Sequence, residues 1–329
     1  MQYLVKRLGY YAVAFFGAIT LNFFLPRMMP GNPVQQYMQS LYKTGGTVSA
    51  EVIAAVEKMF GFDQDVSLFT SFWRYLLGIL QGDWGYSFSR YPDTVLNVIK
   101  GSIGWTIFLI GTTMIISFAI NVSLGIYVAW KRGTKRDMAI TLTGQVMTTI
   151  PTIIVAFALS FAFAYTDIFP RGYSVTPLLK HANNWEYIKD VAYHAFLPLM
   201  AILLTSFGGI MGMRANMINQ LGEDYIVMGI AKGVPDRKIM FGYGARNAML
   251  PVITSLAMSV GFLLGGSLLV ERIFNYPGLG MVMMSAINGR DYPLMQGVLI
   301  ISTILMLSAN FTADILSFLI DPRLRKQGK

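Results

Sequence analysis

The chain has 329 residues, of which 54% are hydrophobic and 13% charged, with a net charge of +9 and no cysteine. That composition is too apolar for a soluble domain and reads as a membrane protein with several spans. The missing cysteines exclude disulfides and thiolate metal centres, and leave the redox compartment undetermined.

Apolar runs long enough to cross a bilayer lie at roughly 8–29, 103–130, 138–163, 194–214, 249–271 and 293–320. Each is predicted helical, because the hydrocarbon core offers the backbone no water. The expected fold is therefore all-α, with six transmembrane helices. Charge sets the expected orientation. If the N-terminus is cytoplasmic, the basic segments 131–136, 214–246 and 323–329 share that face and hold the whole net charge, while the other face balances to zero. The basic balance then needs no nucleic-acid partner. Both termini are expected on the cytoplasmic side of a prokaryotic cell membrane.

In chain order, residues 1–29 form a basic start and the first span. A cleaved signal peptide is the rival reading; it fails because no small-x-small site follows the apolar run. Residues 30–102 are too long for a structureless loop and are expected to form a small helical extracytoplasmic cap. Asn32-Pro33 and Ser49-Ala50-Glu51 are plausible helix starts, and Gly61 a stop. Phe69, Phe72, Trp73, Leu76, Leu77 and Leu80 recur at helical spacing. Trp84, Tyr86, Phe88 and Tyr91 are placed at headgroup level, ahead of direct substrate contact.

A five-helix membrane core is expected over 103–320. Asn121 in span two and Gln145 in span three are buried amides that bond neighbouring helices or line a pathway. Residues 131–137 form a tight basic turn. Pro151 and Pro198 are expected to kink their helices. An outer loop, 166–193, carries Trp185, Tyr187 and Tyr193; His181 and His194 near it read as surface or interface residues rather than a metal site. Span four closes on Gly208, Gly209, Gly212 and Arg214. Span five carries Gly261, Gly265 and Gly266, and ends at Glu271-Arg272. Residues 274–292 skim the outer surface through Pro277-Gly278. Span six holds Asn310 and Asp314, the latter expected to find a structural partner such as a basic loop residue. Residues 321–329 are a cytoplasmic tail.

The polar stretch 214–248 between spans four and five reads as helix, turn, helix. Glu223 and Asp224 favour a helix start. Gly233 can take the left-handed conformation that ends one, and Pro235 beside Asp236 fits the next start. No catalytic constellation accompanies it: there is no His-Glu-x-x-His, no Gly-x-Ser-x-Gly and no Gly-Lys-Ser/Thr loop to cradle phosphates. Any uphill transport must draw its energy from a partner.

Glu223, Ala231-Lys232-Gly233, Ile239 and Leu250-Pro251 resemble the coupling loop, the "EAA" loop, of ABC importer permeases, in the dipeptide, oligopeptide and nickel branch. The likeness extends to Arg214, Pro277-Gly278-Leu279-Gly280, Arg290-Asp291-Tyr292-Pro293 and Asp321-Pro322-Arg323, and so covers nearly the whole chain. It departs at Val227 and Ile230, where many members carry basic residues, and at Val234-Pro235, which replaces a Ser-containing turn.

The resemblance implies a type I importer permease, not an enzyme. It would pair with a second homologous permease and two cytoplasmic ATPases, which hold ATP and magnesium. An extracytoplasmic binding lipoprotein would deliver the cargo, and this chain would bind no cofactor itself. Glu223, Asp224, Tyr225, Ala231, Lys232 and Gly233 would dock in the ATPase cleft. Asn121, Gln145, Gly265, Gly266 and Asn310 would belong to the pathway, and Pro277, Gly278 and Gly280 to an outer gate. A secondary transporter, the reading from another class, should show broken helices and coupling-ion ligands at midplane. For cargo, the run at 85–92, Trp105 and Tyr225-Ile226-Val227-Met228 resemble oligosaccharide importers more than oligopeptide ones. Nickel is disfavoured by the thin supply of His and the lack of Cys on the outer face.

The topology is checked with protease added outside intact cells: it should cut within 30–102 or 166–193 and spare 131–136 and 323–329. Removal of the tail from outside would invert the arrangement.

Overall fold

The computed structural model describes residues 2–28, 67–166, 168–170, 172–179 and 184–320. Among them the regular elements are helices. The expected starts at Asn32 and Ser49, the stop at Gly61, His181 and the tail from Asp321 lie outside the described residues. Among the described residues four helices are long and apolar enough to cross a membrane, five if the one bent pair counts as a single span.

The helices are α1 (Gln2–Arg27), α2 (Leu68–Gln81), α3 (Val95–Trp130), α4 (Lys135–Thr149), α5 (Thr152–Ala162), α6 (Trp185–Thr205), α7 (Gly209–Leu221), α8 (Asp224–Ala231), α9 (Arg246–Ile273), α10 (Leu279–Asn288) and α11 (Tyr292–Ile320). A short 3₁₀ turn occupies Pro177–Leu179, and a wide π-type turn, Lys238–Ala245, leads into α9.

Three expectations are corrected. The third span is not one helix. Ile150, held extended before a proline (φ −78°, ψ 122°), stops α4; the axis turns by 92° before α5. The fourth span ends at Thr205, not Arg214, and Arg214 lies inside the separate helix α7. Pro198, by contrast, sits inside an unbroken α6. Trp185, Tyr187 and Tyr193, expected in a loop, belong to the first turns of α6, which Asn184 caps by accepting from the Tyr187 amide at 3.1 Å.

The chain divides into two compact units. The first holds residues 1–9, 107–276 and 306–329. Its core joins Val122, Ile126 and Ala129 of α3 to Met213 and Met217 of α7, with Ala245 and Ala248 at the start of α9. The approach is close: a Cβ on Gly125 would lie 2.5 Å from Met213 Cβ. Gly208 and Gly209 also pack tightly, on Thr148 and Asn121, whereas Gly212 faces open space. Asp314 does pair with a basic residue, but one on a helix rather than in a loop: Arg7 of α1, at 3.5 Å.

The second unit holds residues 10–106 and 277–305. Here α2 begins at Ser67, whose hydroxyl caps the Thr70 amide, and stops at Gly82 in the left-handed conformation. Phe72 and Tyr75 of α2 pack on the buried Phe23 of α1, while Phe69, Trp73, Leu77 and Leu80 stay exposed. Asn22 donates to the Gln296 carbonyl at 2.9 Å. Phe88 departs from its headgroup assignment: it is buried, while Tyr86 and Tyr91 are exposed and lie 5.9 Å apart.

The segment around Phe88 is fixed by one carboxylate. Asp291 is fully buried and accepts from the Ser87 hydroxyl (2.5 Å), the Ser89 amide (2.9 Å) and the Ser89 hydroxyl (2.8 Å). Its other oxygen accepts from the Leu294 amide at 3.1 Å, at the start of α11. A buried carboxylate is tolerated only when its lone pairs are filled in this way. Asp291→Ala should orphan all of these donors and destabilise the protein by ~3 kcal/mol or more. Thermal unfolding in detergent should show it, and an unchanged midpoint would refute the role.

Candidate functional site

The polar stretch before α9 has the helix–turn–helix form expected of it. Glu223 is the extended N-cap of α8 (φ −79°, ψ 147°), and Asp224 stands in its first turn. At the other end the Gly233 amide donates to the Ile230 carbonyl (2.9 Å) and the Val234 amide to the Gly229 carbonyl (3.1 Å). This double closure is a Schellman motif, and it needs a left-handed residue at Gly233, where φ is +71°. The Pro235 carbonyl then accepts from Lys238 (2.8 Å) and Ile239 (3.1 Å), starting the next helical stretch. That stretch does not end in a loop. It runs through the π-type turn into α9, so the second arm of the motif is continuous with the next long helix.

One face of α8 is anchored and the other is free. Ile226 and Ile239 are 1% exposed, and burying such a side chain stabilises by ~1.5–3 kcal/mol. Glu223, Asp224, Ala231, Lys232 and Gly233 are exposed, as docking residues must be. Tyr225 is also exposed, but its hydroxyl is engaged. It donates to Gln220 Oε1 of α7 at 2.7 Å and accepts from Asn247 Nδ2 of α9 at 3.0 Å. Tyr225 therefore braces α8 between its neighbours. Beside these lie Val227, Met228 and Ile230, each 57–59% exposed, an apolar face that the sequence reading left without a role. The signal was present: two of the three are the positions that depart from the usual basic residues.

The base of the loop is held by a second carboxylate that sequence reasoning missed. Asp137, in the first turn of α4, takes a two-point fork from Arg214 of α7: Nε to Oδ1 at 2.7 Å and Nη2 to Oδ2 at 2.8 Å. It also accepts from the Gly133 amide (3.0 Å) and the Thr141 hydroxyl (3.2 Å). Such a planar fork fixes orientation as well as charge. An acid at the start of a helix in an otherwise basic turn was the available clue.

Where the helices break, a cavity of about 370 Å³ opens in the first unit. Thr148 and Thr152 reach it from the two sides of the α4–α5 bend, and Thr205 and Ser206 from the end of α6. Asn121 lines it from α3 and donates to the Ser206 carbonyl at 2.8 Å, thus both bonding a neighbour and facing the space. Among the described residues no charged side chain lines it. Gln145, the other predicted amide, is exposed and is not part of the lining. Asn310 is half-buried on α11, and its side-chain oxygen has no partner among the described residues. Gly265 and Gly266 lie within α9. In the second unit Gly278 and Gly280 are buried at the start of α10, and the Leu279 amide between them donates to Thr106 Oγ1 at 2.8 Å. Pro277 is half-buried beside them.

Among the described residues no cluster of His, Asp or Glu has the arrangement of a metal site.

Residues 121–326 match the model of the family described as binding-protein-dependent transport system inner membrane component. The chain is also similar to the glutathione transport system permease protein GsiC of Escherichia coli K12, 30% identical over 329 residues and covering 99% of each chain. The GsiC of Salmonella paratyphi A is 32% identical over 331 residues, again with 99% of each chain covered. Broken helices were the expected mark of a secondary transporter. They occur here beside a coupling-type loop and without charged groups in the cavity.

The exposed turn at Gly233 yields a graded test. Gly233→Asn, which enters the left-handed region readily, should retain transport, whereas Gly233→Val should reduce it more than tenfold. Transport and ATP hydrolysis measured together in proteoliposomes should show hydrolysis continuing without uptake. Equal uptake by both variants would remove the loop from the coupling role.

Proposed function

The chain belongs to the binding-protein-dependent transport system inner membrane component family, and on that premise we propose how this permease subunit of an ABC importer works and what it carries. It is a multi-pass membrane protein and not an enzyme: ATP is hydrolysed on partner subunits, and a separate binding protein supplies the cargo. We place ATP with magnesium on two cytoplasmic ATPases and pair the chain with a second, homologous permease. Its two termini face the cytoplasm, and it crosses the bilayer six times, with α9 as a span and α4–α5 as a bent one.

The observation that carries the mechanism is the continuity of the coupling element with α9. The exposed end of α8, from Glu223 to Gly233, seats in a cleft of the ATPase. Val227, Met228 and Ile230 give this contact an apolar centre, where related chains use basic residues. A push on α8 passes through Ile226, Ile239 and the Tyr225 brace into α7 and α9. The packed Met213–Met217 core moves as a body because close-packed interiors transmit strain rather than absorb it. The cavity where α4–α5 and α6–α7 break lies along the path, with Asn121 on its wall. Pro277, Gly278 and Gly280 form the outer gate.

For cargo we propose short peptides. This replaces the oligosaccharide expectation, which rested on a resemblance of the run at 85–92, Trp105 and Tyr225-Ile226-Val227-Met228 to oligosaccharide importers. The full-length likeness to glutathione permeases supports a peptide, since glutathione is a tripeptide. A neutral polar cavity suits main-chain amides. Calorimetry of the cognate binding protein should detect tri- to hexapeptides and no response to glucan-type oligosaccharides. Binding of oligosaccharides alone would overturn the assignment while leaving the permease reading in place.

A further inference from the structure

The cavity wall has an imbalance of hydrogen-bonding capacity. Several of its hydroxyl groups have already spent their protons on the helices that carry them. Thr148 donates to the Gly144 carbonyl at 2.8 Å, Ser206 to Ile202 at 2.7 Å and Ser255 to Val252 at 2.9 Å. Thr205 donates to the Ile202 carbonyl at 3.1 Å and lies 2.9 Å from the Thr152 hydroxyl, whose proton is thereby directed onto Thr205. A hydroxyl has one proton and two lone pairs, so what remains on each of these groups is acceptor capacity.

Asn121 completes the pattern. Its bond to the Ser206 carbonyl must come from the amide nitrogen, because two carbonyl oxygens cannot pair. That fixes the orientation of the side-chain amide. The other atom, Oδ1, is buried and has no partner among the described residues, in a residue only 8% exposed. An unpaired buried acceptor is costly and calls for a donor.

The geometry points to a donor-reading subsite: we propose that this cavity selects cargo by its uncharged N–H groups, the main-chain amides of a peptide. Among the described lining residues no acidic side chain is present to stabilise an ammonium, and no basic one to hold a carboxylate. Burying either ion without a partner is far more expensive than burying an amide. The subsite thus reads peptide backbone irrespective of side chains and prefers amides to charged ends. Asn121, Thr148 and Ser255 are its specificity determinants, from α3, α4 and α9. The inference rests on the peptide reading above.

The test uses the complete transporter, with partner permease, ATPases and binding protein, in proteoliposomes. Uptake of a radiolabelled tripeptide, and of the same tripeptide N-methylated at its central amide, is measured at saturating loaded binding protein. Thr148→Val keeps the shape and removes the acceptor; Thr148→Ser keeps the acceptor. Thr148→Val should lower tripeptide uptake about tenfold. It should also narrow the preference over the methylated analogue, while Thr148→Ser keeps both. Because one binding protein serves every variant, its own preference cancels from the comparison. Ser255→Ala, on another helix, should act in the same direction as Thr148→Val. Copurification of the ATPase checks assembly of each variant. Wild-type uptake and preference in both Thr148→Val and Ser255→Ala would overturn the subsite. Lack of tripeptide uptake by the wild-type transporter would instead overturn the peptide assignment on which it rests.

Discussion

The fork between Arg214 and Asp137 is the interaction on which the first unit depends. It joins the start of α4 to the middle of α7, the helix that leads directly into the coupling element. Removing one partner of a buried, hydrogen-bonded pair typically costs ~3–5 kcal/mol, because the other charge is left without compensation. Substituting both together by apolar residues can cost much less. The pair is therefore better understood as setting position than as adding stability. It holds α7 in one register, and α7 in turn carries Met213, Met217 and Gln220, which pack or brace everything that follows.

Rigidity in the loop has the same origin at a smaller scale. α8 has only eight residues, too few to hold its shape by its own hydrogen bonds. It is held at one end by the Gly233 closure, on one face by Ile226, and on its exposed side by the Tyr225 hydroxyl. Tyr225 shows how a residue can be exposed yet structural. A phenylalanine there would present the same ring to a partner and lose both tethers.

The two helix breaks serve a different purpose. Backbone groups freed by a break must find partners inside a membrane protein, and this is possible where the break lines a polar cavity. The Ser206 carbonyl is such a group, and Asn121 is what satisfies it. One amide thus repairs a broken helix with its nitrogen, while its oxygen stays buried without a partner among the described residues. The same economy appears in the second unit, where Asp291 closes the turn before α11 and fixes the 87–89 segment at once.

The sequence by itself determined what local chemistry controls. The apolar runs located the long helices, since length and hydropathy suffice for that. Glu223, Gly233 and Pro235 marked the helix–turn–helix motif, because caps and left-handed turns are properties of single residues. Pro151 marked the interruption of the third span, though not a bend of 92°. Tertiary structure alone decided the rest. Phe88 and Tyr86 have similar aromatic side chains two positions apart, yet one is buried and the other exposed. The partners of Asp137 and Asp291 are brought together across 77 and 204 positions of chain. The cavity also combines residues from separate helices, none of which signals its neighbours. Asn121 and Gln145 looked equivalent in sequence, as amides within apolar runs. Only the packing of α3 against the end of α6 separates them, because a hydrogen-bonding site is a property of where helices meet rather than of any one helix.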